Sequence, residues 1–298
     1  MAIDNLHKAK EAKYDEFFTR FEDIDKELIN YMPYFKEKVI YCNTDDPDVS
    51  AFASYFLVSS PELQWRTVLF SWLKPNGAGS FDSPDSIKKL KECDVVITNP
   101  PFSKIKPFLR LLQRYNKDFL IIVNPNIVTY KEVFPLIRDN KIWLGCKKMG
   151  TDMLFNITDE YAKELVENRS KSSYRIINGK VYGRTAAVWL TNIDHKQRHQ
   201  WLDLSKKYNP SDYSILDNYD AINVDRVDCI PKDYTGVMAV PITFLNYYNP
   251  EQFKIIGMAA HHRYDQSITG LPLKDGTIGK PLLNGKLKFA RIFIQKNN

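Results

Sequence analysis

Residues 99–102 read Asn-Pro-Pro-Phe, and their groups suit one kind of chemistry. The Asn99 side-chain oxygen and the Pro100 carbonyl are neutral acceptors, while neither Pro100 nor Pro101 brings an N–H donor. An NH₂ group on an aromatic ring has two protons that fit such a pair of acceptors, and Phe102 can stack on the ring. Accepting both protons raises the electron density on nitrogen. The motif therefore predicts methylation of an aromatic amine, driven by positioning and electrostatics.

The dipeptide Asn-Pro alone carries no weight, because it occurs four times, at 99–100, 124–125, 209–210 and 249–250. Asn-Pro commonly starts a turn. The four-residue motif is more specific because it directly follows the apolar run at 94–98.

Alternating strands and helices must position this motif. We predict strands at 38–42, 66–72, 94–98 and 118–123, with helical segments between them. This alternation predicts an open α/β sheet of parallel strands. Ligands of such sheets bind beyond the carboxyl ends of the strands, which is where Asn99 lies.

The pattern changes after residue 142, where several strand-like segments follow one another. Asn178-Gly179 suits a two-residue hairpin turn, and we expect an antiparallel pair to close the parallel sheet. Residues 1–31 read as helical, and the chain beyond about residue 195 reads as loop-rich. We therefore predict one domain over 1–195 and a second, irregular region over 196–298.

Composition narrows the class of protein. No apolar run approaches the roughly 20 residues of a membrane span, the first residues do not match a signal peptide, and the four cysteines form no C-x-x-C pair. We expect a cytoplasmic protein with reduced thiols, no metal and no membrane partner.

The net charge is +6, and residues 251–298 hold eight Lys/Arg against three Asp/Glu, a net +5. Such a basic segment favours a polyanionic partner. The alternative is an ordinary lysine-rich surface.

The chain resembles the EcoRI-type adenine-N6 DNA methyltransferases over most of its length. The stretches that carry this resemblance include "KYDEFFTRFEDIDKEL", "VIYCNTDDPDVSAFASYF", "CDVVITNPPFS", "AAVWLTNIDH" and "GVMAVPITFLNYYNPEQFKIIG"; beyond about residue 258 it is carried by "LNGKLKFARIFI". The resemblance implies a Rossmann-like sheet that binds S-adenosylmethionine, a C-terminal target-recognition region at 196–298, and transfer of the methyl group to a flipped-out adenine of double-stranded DNA. It further implies a monomer in a bacterial or phage-infected cell, serving restriction-modification or DNA protection.

The resemblance also implies which residues bind the cofactor. The segment "DEFFT" is similar to one that lies against the methionine part of the cofactor, although an amphipathic helix is the alternative. The loop "YCNTDDP" stands where such enzymes usually have glycines, yet no glycine precedes Gly77. Its carboxylates can receive an ammonium group or ribose hydroxyls, or else cap a helix at 48–58. The cofactor residues implied are Phe17, Phe18, Thr19, Tyr41, Cys42, Asn43, Asp45, Asp46, Pro47, Phe81 and Asp82.

Candidate DNA contacts lie in three basic segments: the helix after the motif, the loop 192–200 and the stretch 259–267. A solvated basic surface is the alternative for each, and the His-His pair has no third residue at a metal-ligand spacing. The residues expected to contact DNA are Lys104, Lys106, His195, Arg198, His261, His262 and Arg263.

Four other classes of protein remain to be weighed. An RNA adenine-N6 methyltransferase and an inactive DNA-binding relative stay open. A glutamine-methylating enzyme usually has Asn-Pro-Pro-Tyr and a glycine-rich first loop, so Phe102 argues against it. A nicotinamide dehydrogenase needs G-x-G-x-x-G after the first strand, which is absent here.

Overall fold

The computed structural model describes residues 18–58, 65–74, 79–169, 171–274, 276 and 278–297. The α-helices in this part are α1 Phe21–Leu28, α2 Met32–Phe35, α3 Ala51–Val58, α4 Pro84–Glu92, α5 Ile105–Arg114, α6 Phe134–Arg138, α7 Asp159–Asn168 and α8 Gln266–Thr269. The strands are β1 Phe18–Thr19, β2 Val39–Asn43, β3 Thr67–Ser71, β4 Val95–Thr98, β5 Asp118–Val123, β6 Trp143–Leu144, β7 Met153–Asn156, β8 Tyr174–Ile177, β9 Lys180–Thr185, β10 Val188–Thr191, β11 Ile222–Asn223, β12 Met238–Pro241, β13 Phe253–Ala259, β14 Leu282–Leu283, β15 Lys286–Leu287 and β16 Arg291–Lys296.

The central sheet has the strand order β3-β2-β4-β5-β10-β6, and the first four of these strands run parallel. β2 and β4 are buried along their whole length, as expected of parallel strands covered on both faces. The predicted parallel α/β sheet is confirmed, and each of the four predicted strands lies within two residues of its expected position.

Helix α5 follows the Asn-Pro-Pro-Phe motif and has one apolar face. Ile105, Phe108 and Leu112 are buried, while Lys106 and Arg110 are exposed. The apolar residues recur at the three- to four-residue spacing that packs one stripe of a helix against a sheet. This packing holds the start of the helix, and hence the motif before it, against the sheet.

Four further strands form an antiparallel sheet of order β1-β7-β9-β8. The predicted hairpin is confirmed: Asn178 and Gly179 link β8 to β9 with φ values of 49° and 77°, as a type I′ turn requires. The prediction that this hairpin closes the parallel sheet is wrong, because β8 and β9 belong to the separate antiparallel sheet. Within the central sheet, β6 pairs antiparallel with β10.

The helical prediction for residues 1–31 is wrong at Phe18 and Thr19, which form β1 and pair with Asn156 and Phe155. Residues 1–17 lie outside the described part of the chain. Helix α1 begins only at Phe21. Charged residues interleaved with aromatic ones are typical of an amphipathic helix, which is why the sequence predicted a helix here. At Phe18 and Thr19, pairing with β7 outweighs that local preference.

The region predicted to be irregular contains a four-stranded sheet of order β11-β12-β16-β13. Leu216, Tyr219 and Phe293 lie in its buried apolar cluster. The loop-rich prediction holds over 200–221, where no helix or strand forms, but the irregular structure predicted for residues 238–296 is wrong, because strands β12, β13 and β16 lie there. Short strands separated by long turns hide their alternation from a sequence pattern.

The chain divides into two compact units. One comprises the residues up to 124 together with 150–189, and the other comprises 125–149 together with 190–298. Within the described residues, no helix has the length and apolarity that crossing a bilayer needs. The functional division at 195/196 stays a prediction.

We predict that Gly257→Ala destabilises the second unit. A Cβ at this position would lie 1.9 Å from the Thr269 carbonyl oxygen, and backbone cannot yield as a side-chain tip can. We expect a loss of about 2 kcal/mol or more, seen as a lower thermal midpoint by circular dichroism. Lys254→Ala, at an exposed position on the same strand, is the control and should change little. An unchanged midpoint for Gly257→Ala would contradict this packing.

Candidate active site

The ends of two neighbouring parallel strands bring the motif and the glycine-free loop together. β2 ends at Asn43 and β4 ends at Thr98. The Thr44 hydroxyl lies 2.7 Å from the Thr98 hydroxyl and donates to the Asn99 carbonyl oxygen at 3.2 Å. The carboxyl edge of the sheet thus joins residues 44–45 to residues 98–99, as the sequence predicted for parallel strands.

Asp45 is the buried charge of this edge, with 9% of its surface exposed. Its Oδ2 accepts from the Thr98 hydroxyl at 2.5 Å and its Oδ1 accepts from the Ser50 hydroxyl at 2.7 Å. Burial raises the pKa of Asp45 to about 6, while these two hydrogen bonds act in the opposite direction. The carboxyl is therefore mostly ionised at neutral pH and acts as an acceptor only.

These donor roles fix the direction of the network. Since the Thr98 hydroxyl gives its proton to Asp45, its oxygen is left to accept from Thr44. The single Thr44 hydroxyl proton is therefore shared between the Thr98 oxygen at 2.7 Å and the Asn99 carbonyl oxygen at 3.2 Å, as in a three-centre hydrogen bond. The network links the backbone of Asn99 to a buried carboxylate through two threonine hydroxyls.

Thr44 has a backbone conformation that side chains rarely adopt, with φ at 144°. Its N–H donates to the Ser71 carbonyl at 2.8 Å, and its hydroxyl is engaged with Thr98 and Asn99. Such a conformation persists where surrounding contacts over-determine it. Thr44 thus takes a conformation that glycine adopts more readily, which explains how a loop without glycine turns at this point.

Asp46 and Ser50 shape the loop into helix α3. Asp46 Oδ1 accepts from the Asp48 N–H at 3.0 Å, and the Ser50 hydroxyl accepts from the Phe52 N–H at 3.1 Å. The helix begins at Ala51, so Ser50 is its cap. The capping alternative for the 48–58 segment is thus met in part: Asp46 caps the turn that precedes the helix, and Ser50 caps the helix itself. The Asp45 carboxylate instead accepts from the Ser50 and Thr98 hydroxyls.

Tyr41, Cys42 and Asn43 are fully buried on β2. The Tyr41 hydroxyl and the Asn43 Oδ1 both bond to the Ser71 hydroxyl, at 2.6 and 2.9 Å. Burial raises the pKa of the Cys42 thiol, which stays protonated. The side chains of Tyr41 and Asn43 are engaged with protein groups, and all three build the strand that carries the loop.

Phe81 and Asp82 lie in the loop before α4. The Phe81 ring is 6% exposed and meets the Phe108 ring edge-on, with centroids 5.3 Å apart. Its carbonyl accepts from the Asn43 amide at 3.4 Å, and the exposed Asp82 accepts from the Ser80 hydroxyl at 2.5 Å. The Phe81 side chain is therefore a core residue, and Asp82 is the exposed group of this loop.

Thr19 has a buried hydroxyl that the described residues leave unsatisfied. Its side chain is 5% exposed, and Oγ1 has no hydrogen-bond partner among the described residues. A buried hydroxyl without a partner is costly, which a bound ligand would relieve. Phe18 pairs beside it on β1, α3 contacts this strand, and Phe17 lies outside the described residues.

The motif itself is stiff and only partly covered. Pro100 is buried, Asn99 and Phe102 are half-buried, and Pro101 is exposed. The Pro101 carbonyl accepts from the Lys104 N–H at 2.9 Å and starts a single 3₁₀ turn at Phe102–Lys104. The turn leaves part of the aromatic ring at the surface, where a planar ligand can stack on it.

Of the residues expected to contact DNA, five are exposed or half-buried and two are buried. Lys104, Lys106, His262 and Arg263 are exposed, and His261 is half-buried. Their contact with DNA stays a prediction. Among the described residues, no group of three His, Cys, Asp or Glu side chains is placed to hold a metal ion.

The burial of His195 and Arg198 argues against their predicted contact with DNA. His195 is 6% exposed, and its Nε2 lies 3.0 Å from the Leu144 carbonyl, an acceptor that fixes the proton on that nitrogen. Burial lowers the pKa of His195. Arg198 is 9% exposed, stacks 3.6 Å from the centre of the Trp143 ring and bonds to Asp194 at 3.2 Å. Both are positioned as structural residues of their own unit.

Sequence reasoning missed three residues of this edge: Thr44, Ser50 and Thr98. Their hydroxyls organise Asp45 and Asn99. Thr44 stands where a glycine was expected, and Thr98 directly precedes the motif. The places of Thr44 and Thr98 in the chain could have indicated a role for them. The sequence alone does not reveal which hydroxyls form hydrogen bonds with each other.

Comparisons with known proteins agree on one family. The family model described as "Adenine-specific methyltransferase EcoRI" matches residues 5–73 and 70–297. The chain is 40% identical to the type II methyltransferase M.EcoRI of Escherichia coli, over 97% of this chain and 95% of that protein. It is 34% identical to M.MgeORF184P of Mycoplasma genitalium, over 99% of both chains. It is likewise 34% identical to M.MpnI of Mycoplasma pneumoniae, over 98% of both chains.

We predict that Thr98→Val raises the pKa of Asp45 above about 6, because the ionised carboxylate loses a donor. At pH 8, where the carboxyl stays mostly ionised, we expect a stability loss of about 1–3 kcal/mol. Carboxyl NMR titration and chemical denaturation measure the two effects. The control is Thr67→Val, at an exposed position on the neighbouring strand. A pKa of Asp45 that falls or stays in place in Thr98→Val would contradict the hydrogen bond.

Proposed function

Because the chain belongs to the EcoRI adenine-specific methyltransferase family, it is a type II DNA adenine methyltransferase that uses S-adenosylmethionine, and we propose that Asn99, Pro100 and Phe102 form its catalytic site for adenine N6. One observation carries this proposal. The hydrogen bonds at residues 44–45 and 98–99 tie the glycine-free loop to the catalytic motif at one edge of the sheet.

The groups at this edge suit the cofactor. S-adenosylmethionine supplies a methyl group on a sulfonium cation. The buried Asp45 carboxylate is a negative group that favours nearby cations, and it retains lone pairs beyond those used by Ser50 and Thr98. The buried Thr19 hydroxyl, which has no partner within the described part of the chain, can bond to the cofactor's polar groups. We propose that Thr19 and Asp45 bind the cofactor, with Asp46 and the exposed Asp82 as further contacts.

The motif supplies the other half of the reaction. The Asn99 side-chain oxygen and the Pro100 carbonyl accept the two protons of the N6 amine, so that its nitrogen is more nucleophilic. Phe102, half-buried at the start of the 3₁₀ turn, stacks on the adenine once the base has left the duplex. The amine loses its proton as or after it is methylated, so no strong base is needed.

The threonine network positions Asn99. Thr44 donates to the Asn99 carbonyl and Thr98 precedes it on β4. Because Thr98 is tied to the ionised Asp45, the placement of the amide depends on the same carboxylate that we assign to the cofactor. The two substrates are thereby held by one connected set of groups.

We propose further that the central sheet is the Rossmann-like sheet of such enzymes and that residues 196–298 recognise the DNA target. The net charge of +5 over residues 251–298 and the exposed His262 and Arg263 support this assignment. The same proposal includes three further points. The DNA substrate is double-stranded, the enzyme is a monomer, and it acts in the cytoplasm of a bacterial or phage-infected cell.

The test is expression in a host that lacks DNA methylation, followed by mapping of N6-methyladenine across the host genome. Methylation at one recurring motif supports the function and identifies the target. Methylation found only in RNA would favour an RNA enzyme. An unmodified genome, together with no binding of S-adenosylmethionine by calorimetry, would overturn the proposal.

We predict that Asn99→Ala lowers kcat by at least about 100-fold, as loss of an oxyanion-hole-type group does. Binding of S-adenosylmethionine should stay near normal, because the amide acts on the adenine. Methyl transfer from labelled cofactor and calorimetry measure the two quantities. Asn209→Ala is the control, since Asn209 is an exposed asparagine that also precedes a proline. Loss of cofactor binding in Asn99→Ala would mean that Asn99 is wrongly placed.

We also predict that binding of S-adenosylmethionine weakens as the pH falls through about 6, where the Asp45 carboxyl becomes protonated. The sign follows because only the ionised form attracts a cation. Asp45→Asn should bind weakly at neutral pH and show little of this dependence. Asp48→Asn, at an exposed carboxyl of the same loop, should keep the wild-type profile. Calorimetry between pH 5 and 8 checks this, and a flat wild-type profile would refute the role of Asp45.

A further inference from the structure

Phe289 is an aromatic side chain held in solvent, with 90% of its surface exposed. It follows the hairpin formed by β14 and β15, on which Leu287 is 50% exposed. Single exposed apolar residues are common, but a nearly bare phenylalanine ring has a large apolar area. Nothing in the methyl-transfer site explains its placement.

The exposure is not a consequence of a loose hairpin. Asn284 and Gly285 form its turn with φ values of 51° and 71°, as in a type I′ turn. The Asp217 carboxylate accepts from the N–H groups of both turn residues, at 3.1 and 2.8 Å, and Leu283 packs on the buried apolar cluster of the C-terminal sheet. The hairpin is therefore a rigid support that presents Phe289 outward.

Asn218 joins this hairpin to the neighbouring segment 278–280. Its amide donates to the carbonyls of Ile278 and Lys280, both at 2.9 Å, and its oxygen accepts from the Leu282 N–H at 3.0 Å. The Gly279 N–H in turn donates to the His262 carbonyl at 2.7 Å. Residues 262–263, 278–280 and 282–289 thus form one platform, which we call the hairpin platform.

The hairpin platform is positively charged. Arg263 and Lys286 are exposed, and neither forms a salt bridge within the described part of the chain. The residues of the hairpin platform include Arg263, Lys280, Lys286 and Lys288 and no Asp or Glu. Two carboxylates from outside the platform contact it: Asp217 accepts from the turn N–H groups, and Asp225 pairs with Lys288 and Arg291 at 3.0 and 2.9 Å. A basic surface that carries a bare aromatic ring matches a polyanion with planar groups.

We propose that the hairpin platform binds the DNA duplex, with Phe289 stacked against bases as an apolar wedge and Lys286 on a backbone phosphate. The inference rests on the DNA substrate stated above and adds a contact outside the methyl-transfer site. Proteins that insert apolar side chains between base steps partly unstack and kink the duplex. Stacking of a base on an aromatic ring stabilises such complexes whichever base is present, because every base has a π-face.

A second hairpin provides a matched control. The turn between β8 and β9 is also Asn-Gly, and Ile176 there is 58% exposed. Its two arginines, Arg175 and Arg184, share one carboxylate, that of Asp152. This hairpin therefore offers exposed apolar surface on a basic hairpin without a bare aromatic ring.

The test measures binding to a duplex of about two helical turns that carries the methylated motif, by fluorescence anisotropy at several salt concentrations. Phe289→Ala should weaken binding about tenfold or more, and Phe289→Trp should stay near wild type. Lys286→Ala should weaken binding and reduce the salt slope by about one. Ile176→Ala should bind as wild type does. Thermal midpoints and S-adenosylmethionine binding should be unchanged in all four variants.

A base analogue then reports the stacking directly. 2-Aminopurine scanned through the duplex should brighten at one base step on binding of wild type and stay dark there with Phe289→Ala. Wild-type affinity in Phe289→Ala would overturn the inference, as would a change only in self-association by analytical ultracentrifugation. Either result leaves wild-type methylation intact, whereas failure of the proposed function would show as no methylation by wild type.

Discussion

The hydrogen bond from the Thr98 hydroxyl to the buried Asp45 carboxylate is the interaction on which the proposed active site depends. It crosses from β4 to the loop after β2 and is paired with the contact between Thr44 and the Asn99 backbone. Burial makes the carboxylate costly to ionise, and the hydroxyls around it offset part of that cost. The site thus holds its charge with neutral donors, which leaves the charge available to a cationic ligand.

The same interaction accounts for the absence of glycine from this loop. A loop that turns sharply after a strand usually uses glycine, because glycine adopts positive φ without steric strain. Here Thr44 adopts a φ of 144° and its hydroxyl holds the conformation by bonding to the motif. The side chain that causes the strain therefore also provides the link between the loop and Asn99, which a glycine would lack.

The sequence predicted the part of this arrangement that depends on periodicity and on strand order. The parallel strands, the position of Asn99 at a strand end and the Asn178-Gly179 turn follow from local patterns, and the structure agrees. Side-chain burial does not follow from local patterns. His195 and Arg198 looked like members of a basic surface loop, yet tertiary packing places them against Leu144 and Trp143. The strained φ of Thr44 and the cap at Ser50 likewise depend on neighbours that a local pattern does not reveal.

The central claim is that Asp45 and Thr98 act as a unit in methyl transfer. A double-mutant cycle of Asp45→Asn and Thr98→Val, measured as kcat/KM for methylation of the mapped DNA motif, tests it directly. If the two groups act together, the double variant should be less impaired than the sum of the single effects, by at least about 1 kcal/mol. Additive losses, within about 0.5 kcal/mol, would contradict the claim.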